Sequence, residues 1–363
     1  MKSYNGLYDR MLDPTEMVES IVETSKHRES RPLVRAILSR KEEKAREIIS
    51  KIRSGQWMPP HHKTCFLQEG AHKKKRNIQK PRFDDEQIVH HALMRQLRPI
   101  IMPRLYRYAY GSLPGRGPHE AVKHMKRWRD EYGGKRFYVF EGDVKKFYDN
   151  INLELLKQKL HRRIRDQKYL EILERVIDVA GPGLAKGFYT SPWLANFFME
   201  EFDNYIVQVL KPDHYLRYMD NLFIYHRNKK ELHRMVRQIA VFLEKRLDLH
   251  LKEDWQVFRF EGKNRRTGKV SGRAVNALGF VIHHNRVTVR KSNLKRTRAK
   301  ANHIRKRRRY TLHDCASMVS RVGTLRHANA YNYYVTWIKP KVSIHHCKKR
   351  LSKAARKEKH HHD

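Results

Sequence analysis

Carboxylates are scarce in this sequence. Among 363 residues there are 38 Asp and Glu against 79 Lys and Arg, a formal net charge of +41. Cysteine is scarcer still: Cys65, Cys315 and Cys347 cannot build a disulfide framework and none lies in a CxxC pair, which suits a reducing compartment and points to the cytoplasm. No run of about 18 apolar residues occurs, so no membrane span is expected. Residues 1–10 lack the apolar stretch of a secretory signal. There is no GxxxxGK phosphate loop, and Gly115-Arg116-Gly117 is too short to act as one. His345-His346-Cys347 lacks the further ligands at proper spacing that zinc needs. What is present is a hydrophobic fraction of 39%, enough for a buried core, so the charge is not that of a disordered tail. The length predicts two or three domains of roughly 100–200 residues each. The surplus of positive charge points to a polyanion, most simply nucleic acid, with a basic scaffold of ribosomal type as the competing reading.

The charge is unevenly spread. From Arg286 to Asp363 there are 23 Lys and Arg and three acids, Asp314, Glu358 and Asp363. Leu294, Ile304, Leu312, Met318, Val322, Leu325, Tyr333, Val335 and Trp337 recur through this stretch, which predicts helices with one apolar and one basic face. The run Arg305-Lys306-Arg307-Arg308-Arg309, with Tyr331, Tyr333, Tyr334 and Trp337 beyond it, suits a module that grips a duplex or stacks on bases. A second basic stretch is Lys73-Lys74-Lys75-Arg76.

The middle of the chain alternates strand and helix signals. Phe137-Tyr138-Val139-Phe140 reads as a buried strand ended by Gly142-Asp143. Asn152 caps a helix with Leu153, Leu156, Leu160 and Ile164 on one side, which is expected to run to Val179 before Gly181-Pro182-Gly183 breaks it. Ser191-Pro192 predicts the cap and first residue of another, carrying Leu194, Phe198, Phe202, Ile206 and Val209 on one face. Two short strands, 215–219 and 222–225, are joined by Asp220-Asn221, residue types that tolerate the positive φ of a tight turn. A helix with Leu232, Val236, Ile239, Leu243 and Leu247 follows, and a last strand covers 277–282. This order is that of a split βαβ sheet, the ferredoxin-like layout, in an α+β fold.

Against the basic background two acids stand out. Asp143 ends one strand and Asp220 sits at a hairpin tip, and in this layout the two strands are neighbours, so both carboxylates can converge on one sheet edge. Either alone reads as ordinary turn or strand-end chemistry. Together, in so basic a protein, they call for a counter-cation. Magnesium takes hard oxygen ligands and bridges carboxylates to phosphates; two such ions can activate a 3′ hydroxyl and stabilise a leaving pyrophosphate.

These residues carry a resemblance. The stretch 140–149, Phe-Glu-Gly-Asp-Val-Lys-Lys-Phe-Tyr-Asp, resembles the first catalytic motif of reverse transcriptases, and Tyr218-Met219-Asp220-Asn221 their YxDD box. Gly187-Phe188-Tyr189-Thr190-Ser191-Pro192 resembles the GxxxSP motif between them. Leu249-His250-Leu251-Lys252 and Leu278-Gly279-Phe280 resemble the two later palm motifs; Lys75-Arg76-Asn77-Ile78 and the 87–93 segment resemble those of the fingers. The similarity runs from about Tyr4 to about Leu351. Tyr110-Gly111-Ser112, Gly115-Arg116-Gly117, Trp255-Gln256-Val257 and Ile338-Lys339-Pro340 are most similar to bacterial and phage enzymes of the diversity-generating type and to defence-associated, unknown-group relatives. Ser191-Pro192, where diversity-generating enzymes usually show Ser-Gln, tilts the reading towards defence. Retron and group II intron enzymes come third.

The resemblance implies a right-hand polymerase: residues 1–135 as the amino-terminal region and fingers, with fingers motifs at 73–117; 136–283 as a ferredoxin-like palm; 284–363 as a small basic helical thumb and tail. It implies an RNA-directed DNA polymerase that adds deoxynucleotides by two-metal catalysis on an associated structured non-coding RNA, making cDNA in anti-phage defence, or mutagenic cDNA in a diversity-generating retroelement. An accessory protein or second subunit would be a further partner, in a bacterial cytoplasm. By the same resemblance, positions Asp143, Val144 and Asp220 bind two Mg2+ ions, with Mn2+ as the alternative. Tyr148 lies under the incoming sugar and excludes a 2′ hydroxyl; Arg76, with Lys74 or Lys75, holds the triphosphate. Gly187 lets the backbone approach nucleotide and template base, and Lys186 beside it bears on fidelity or template choice. Lys252 protonates the departing pyrophosphate. Arg290, Lys291, Lys295, Arg296, Arg298, Arg305, Arg307 and Arg308 follow the template–primer backbone. Asn221 departs from the family, which has a second aspartate there. An amide brings no charge, so altered activity is expected, the rival being an RNA-binding pseudo-polymerase.

Overall fold

The computed structural model describes residues 3–60, 62, 64–69, 74–179, 181–307 and 310–360, with residues 64, 67–69, 74–76 and 357–360 described by backbone alone. Helices α1 (Leu7–Met11), α2 (Pro14–Ser25), α3 (Pro32–Leu38) and α4 (Lys41–Arg53) open the chain, followed by the hairpin β1 (Thr64–Glu69) and β2 (Lys74–Gln79) and by α5 (Glu86–Ile101). Next come β3 (Ala109–Tyr110), α6 (Pro118–Glu131), β4 (Tyr138–Asp143), α7 (Phe147–Asn150), α8 (Leu153–His161), α9 (Gln167–Asp178), α10 (Ser191–Phe198) and α11 (Glu200–Tyr205). A π-helical turn, Ile206–Leu210, leads to β5 (His214–Tyr218), β6 (Asn221–His226), α12 (Lys229–Leu247) and β7 (Gln256–Arg259). Short strands β8 (Gly262–Lys263), β9 (Val270–Ser271), β10 (Val275–Ala277), β11 (Phe280–Ile282) and β12 (Val287–Val289) precede α13 (Lys291–Lys306), α14 (Leu312–Leu325), α15 (Tyr331–Trp337) and α16 (Ile344–His360). Among the described residues no helix is long and apolar enough to cross a membrane.

The chain forms two compact units. The first comprises Met1–Gly117, Phe140–His226 and Lys230–Gln256; the second comprises Pro118–Val139, Arg227–Lys229 and Val257–Asp363. The main sheet has the order β3-β5-β6-β4-β7. Without β3 this is the second, third, first and fourth strand of a split βαβ unit, so the ferredoxin-like layout expected from the sequence is present. β5 and β6 form an antiparallel hairpin closed by Tyr218 and Asn221, while β3 joins β5 in parallel. The period of α12 holds: Leu232, Val236, Ile239, Leu243 and Leu247 are all buried.

Several local expectations are corrected. The single helix foreseen from Asn152 to Val179 is two helices, α8 and α9. Asn152 does cap the first, accepting from the Leu155 amide at 3.0 Å. The break comes from far away in sequence: Tyr4 exchanges hydrogen bonds with Arg163 and Arg165, and the Asp166 carboxylate accepts from the amides of Tyr169, where it caps α9, and of Tyr8. Ser191 is the first residue of α10 rather than its cap, since Thr190 precedes it and no side chain caps that end. Val209 is 63% exposed, because the wide π-helical turn shifts the apolar face by a residue. The last strand foreseen at 277–282 is the hairpin β10–β11, turned by Leu278 at φ 52° and Gly279 at φ 88°. Leu312 is 45% exposed at the mouth of α14, where Thr311 and Asp314 form a reciprocal capping box. Behind it α13 to α16 share a core of Ala301, Ile304, Cys315, Met318, Val322, Ile338, Val342 and Cys347.

His90 and His91 lie on α5. His90 is fully buried beside Phe188, with ring centroids 4.8 Å apart, and neither ring nitrogen has a hydrogen-bond partner among the described residues. Burial pushes its pKa down to about 3; His91, stacked on Tyr189, is pushed down to about 4 by burial. The folded chain therefore keeps His90 neutral while the unfolded chain gains a proton below about pH 6.5, so stability is lost as pH falls through the window between these values. Denaturant titrations are expected to show the parent losing on the order of 1–2 kcal/mol more between pH 7 and pH 5 than His90→Leu does.

Candidate active site

β4 and the β5–β6 hairpin bring Asp143 and Asp220 side by side. The Val144 amide donates to the Asp220 carbonyl at 3.0 Å, tying the strand end to the hairpin tip. On the other flank the Lys252 amide donates to the Asp143 carbonyl and the Lys145 amide to the His250 carbonyl, each at 2.8 Å, around a Val144–Leu251 bridge. Three separate stretches of the chain, 143–145, 220 and 250–252, thus meet in one backbone ladder. The Lys252 ammonium contacts Oδ2 of Asp143, and Oδ1 is buried without a hydrogen bond from any described residue. Asn221 Nδ2 donates to Asp220 Oδ1 at 3.1 Å. An aspartate at 221 has no proton to give at neutral pH, so here the amide orients the neighbouring carboxylate instead of repelling it.

Tyr148 stands close by. Its hydroxyl is held well above the usual phenol range by burial and then by the negative charge of Asp220. The Leu184 amide donates to the Tyr148 carbonyl at 2.8 Å, and a Cβ on Gly183 would come within 2.4 Å of that oxygen. Lys186 Nζ reaches both carboxylate oxygens of Asp149, at 2.6 and 2.7 Å. At Gly187, with φ 114°, a Cβ would lie 2.2 Å from the Gln79 carbonyl, and the Gln79 amide donates to the Lys186 carbonyl at 2.9 Å. The close approach recorded at this glycine is therefore to the end of β2. Lys74, Lys75 and Arg76 lie on β2 by backbone; their side chains, and all of Lys73, fall outside the described residues.

The basic helix residues divide in two. Lys291, Lys295, Arg296, Arg305 and Arg307 are exposed. Arg298 stacks on the Trp337 ring, 3.3 Å from its centroid, and Arg290 donates to Asn276 Oδ1 at 2.8 Å. Arg308 lies outside the described residues.

A cluster that sequence reasoning missed supports the hairpin from beneath. Arg217 and Asp203 are completely buried and pair through two bonds, Nε to Oδ1 at 2.8 Å and Nη2 to Oδ2 at 2.7 Å. Tyr215 donates its hydroxyl to the same carboxylate at 2.7 Å. The remaining arm of Arg217, Nη1, donates to Asn196 Oδ1 at 3.1 Å and to the Met219 carbonyl at 3.2 Å. Asn196 Nδ2 donates onward to the Gly111 carbonyl, and the Met219 amide donates to the Tyr110 carbonyl. Met219, not Asp220 or Asn221, carries the positive φ of the turn, 53°. This corrects the expectation that Asp-Asn chemistry makes the bend. A Cβ at Gly111 would sit 2.5 Å from Met219 Cγ, so that glycine leaves room for the strained methionine. The one available signal was a lone arginine in a run of apolar and aromatic residues, Tyr215-Leu216-Arg217-Tyr218.

A model of the reverse transcriptase (RNA-dependent DNA polymerase) family matches residues 70–282. The chain belongs to this family. It is similar to the group II intron-encoded protein LtrA of Lactococcus lactis subsp. cremoris, 29% identical over 178 residues that cover 46% of this chain and 29% of that protein. Protein YkfC of Escherichia coli (strain K12) is 29% identical over 164 residues, covering 42% of each chain. The chain thus spans less than half the length of these curated relatives, and the group II intron enzymes to which LtrA belongs by name are the group the motifs ranked third. Among solved structures, apo telomerase from Candida tropicalis aligns with a TM-score of 0.48 at 14% identity, over 79% of this chain and 56% of that one. The fold of this reverse transcriptase is that of a right-hand polymerase, α+β with a sheet of mixed orientation.

Reverse transcriptases generally use divalent metal ions. The residues present fit one: two adjacent carboxylates are hard donors, and Asp143 Oδ1 is a buried acceptor with no hydrogen bond from the described residues. Among those residues no group of three or more His, Cys, Asp or Glu could hold a metal.

Arg217→Met leaves Asp203 buried and unpaired, which is expected to lower stability by about 3–5 kcal/mol in urea titration. The double variant Arg217→Met with Asp203→Leu should recover most of that stability. It should not recover primer-extension turnover, because the Met219 carbonyl still lacks its donor.

Proposed function

We propose that this chain is an RNA-directed DNA polymerase that extends a primer with deoxynucleotides on an associated structured RNA. The convergence of Asp143 and Asp220 on one sheet edge, with Tyr148 beside Asp220, carries the reading. Asp143 and Asp220, with Val144 between strand and hairpin, form the metal-binding edge, and Asn221 orients Asp220 through its amide. Two Mg2+ ions held there would activate the primer 3′ hydroxyl and neutralise charge on the leaving pyrophosphate. Tyr148 supports the incoming sugar and leaves no room for a 2′ hydroxyl. Lys252, at the Asp143 carboxylate, is placed to give a proton to the departing pyrophosphate. Arg76 with Lys74 or Lys75 binds the triphosphate, and Lys186 and Gly187 border the nascent pair. Residues 1–135 serve as fingers, 136–283 as palm and 284–363 as a thumb whose exposed cations follow the template–primer backbone.

The biological setting we propose is anti-phage defence, supported by Ser191-Pro192. A second reading, an RNA-binding pseudo-polymerase, is favoured by one observation, the uncharged Asn221.

Extension of oligo(dT) on poly(rA), with Mg2+ or Mn2+, separates the two. The parent should form product and Asp143→Ala should cut it by at least about 10²-fold, the scale of removing a charge-stabilising group. A parent that makes no more product than Asp143→Ala in either ion leaves the pseudo-polymerase. In the same assay Tyr148→Ala should raise ribonucleotide relative to deoxynucleotide incorporation by about 10-fold or more, since a steric gate discriminates by exclusion.

A further inference from the structure

The second unit holds a cavity of about 530 Å³ between α14 and the beginnings of α15 and α16, lined by none of the residues named individually for a polymerase role above. Its size suits a mononucleotide, since small-molecule sites span roughly 300–1,000 Å³. The floor is apolar, with Leu325 and Ala330 buried. Tyr331 and Tyr334, three residues apart on α15, bring two phenol rings to the wall, and Arg326 and Lys348 bring two cations.

The neighbouring aromatics of this helix are used internally. Tyr333 donates its hydroxyl to the Leu294 carbonyl at 2.8 Å, and Trp337 lies under Arg298. Tyr331 is different: it is 75% exposed, and neither it nor Tyr334 has a side-chain hydrogen bond or ring contact among the described residues. Arg326 and Lys348 likewise make no ion pair with a described residue. No carboxylate occurs from Cys315 to Lys357, so nothing in this part of the chain offsets the two charges. A concave site with an apolar floor, unstacked phenol rings and unpaired cations is complementary to a planar base that carries a phosphate. An acidic peptide would answer the cations but leave the rings without a planar partner.

We propose that this cavity binds one nucleotide of an RNA strand, the base stacked on Tyr331 and Tyr334 and its phosphate held by Arg326 and Lys348. The site is an anchor for unpaired RNA outside the polymerising centre. It rests on the reading that the chain binds RNA and is independent of whether it polymerises.

Fluorescence anisotropy of the full chain with a labelled 12-nucleotide oligouridylate tests it. Tyr331→Ala should weaken binding by about 10-fold, in keeping with the strength of base–aromatic stacking, whereas Tyr331→Phe, which keeps the ring, should bind within about twofold of the parent. Joint Arg326→Gln and Lys348→Gln should lower the slope of log K against log salt by about 0.7, the single-strand value for one phosphate. A blunt RNA duplex, which offers no unstacked base, should bind parent and Tyr331→Ala alike. Competition by uridine monophosphate, lost in Tyr331→Ala, would mark the occupant as a free nucleotide; the same Tyr331 dependence without competition marks a base of the strand. Tyr331→Ala binding the oligouridylate as the parent does, or losing single strand and duplex equally, overturns the nucleotide site. A parent that binds neither overturns the RNA-binding reading itself.

Discussion

The buried ion pair between Arg217 and Asp203 is the constraint on which the geometry of this site depends. Two full charges out of water are costly unless every donor and acceptor is used, and here nearly all are. Asp203 receives two bonds from the guanidinium and one from Tyr215, and the remaining arm of Arg217 reaches Asn196 and the Met219 carbonyl. A hydrophobic replacement of the pair could fill the space equally well, but it would present no donor to the turn. The pair therefore exchanges bulk stability for direction. It holds Met219 in a left-handed conformation that bulky residues rarely adopt, and so determines where Asp220 emerges.

From that turn the arrangement propagates through main-chain bonds. Asp220 is tied by its carbonyl to Val144, Asp143 by its carbonyl to Lys252, and Lys145 to His250. Side chains on these positions inherit a spacing set by a β ladder, which is stiffer than any loop. The segment 183–187 is fixed similarly, to Tyr148 through Leu184 and to β2 through Lys186, with Gly183 and Gly187 making the close approaches possible. In a chain of net charge +41, the two carboxylates at the centre are exceptions held in place by construction, each with a nitrogen donor at its side: Lys252 for Asp143 and Asn221 for Asp220.

Much of this was legible beforehand because it follows from short-range pattern. The apolar run before Asp143, the spacing in α12 and the hairpin around Asp220 gave the strand order of a split βαβ sheet, and that order alone makes the two aspartates neighbours. What escaped reading depends on partners distant in sequence. The split between α8 and α9 is imposed by Tyr4, about 160 residues earlier, and the turn at Met219 by Gly111 and Asn196. A sequence shows that Asp-Asn can turn a hairpin; it does not show that a methionine is made to do so by an arginine two residues before it. Arg217 itself was visible as a charge in an apolar strand, but its partner lies on another element, and no periodicity connects them.

The most direct test of the central claim, that Asp143 and Asp220 form one metal-binding edge, is the Mn2+ bound by the chain in complex with a dideoxy-terminated primer on RNA and the matching deoxynucleotide, followed by electron paramagnetic resonance. Bound Mn2+ should fall in Asp143→Asn and in Asp220→Asn alike, each relative to the parent. Both variants binding Mn2+ as the parent does would contradict the account.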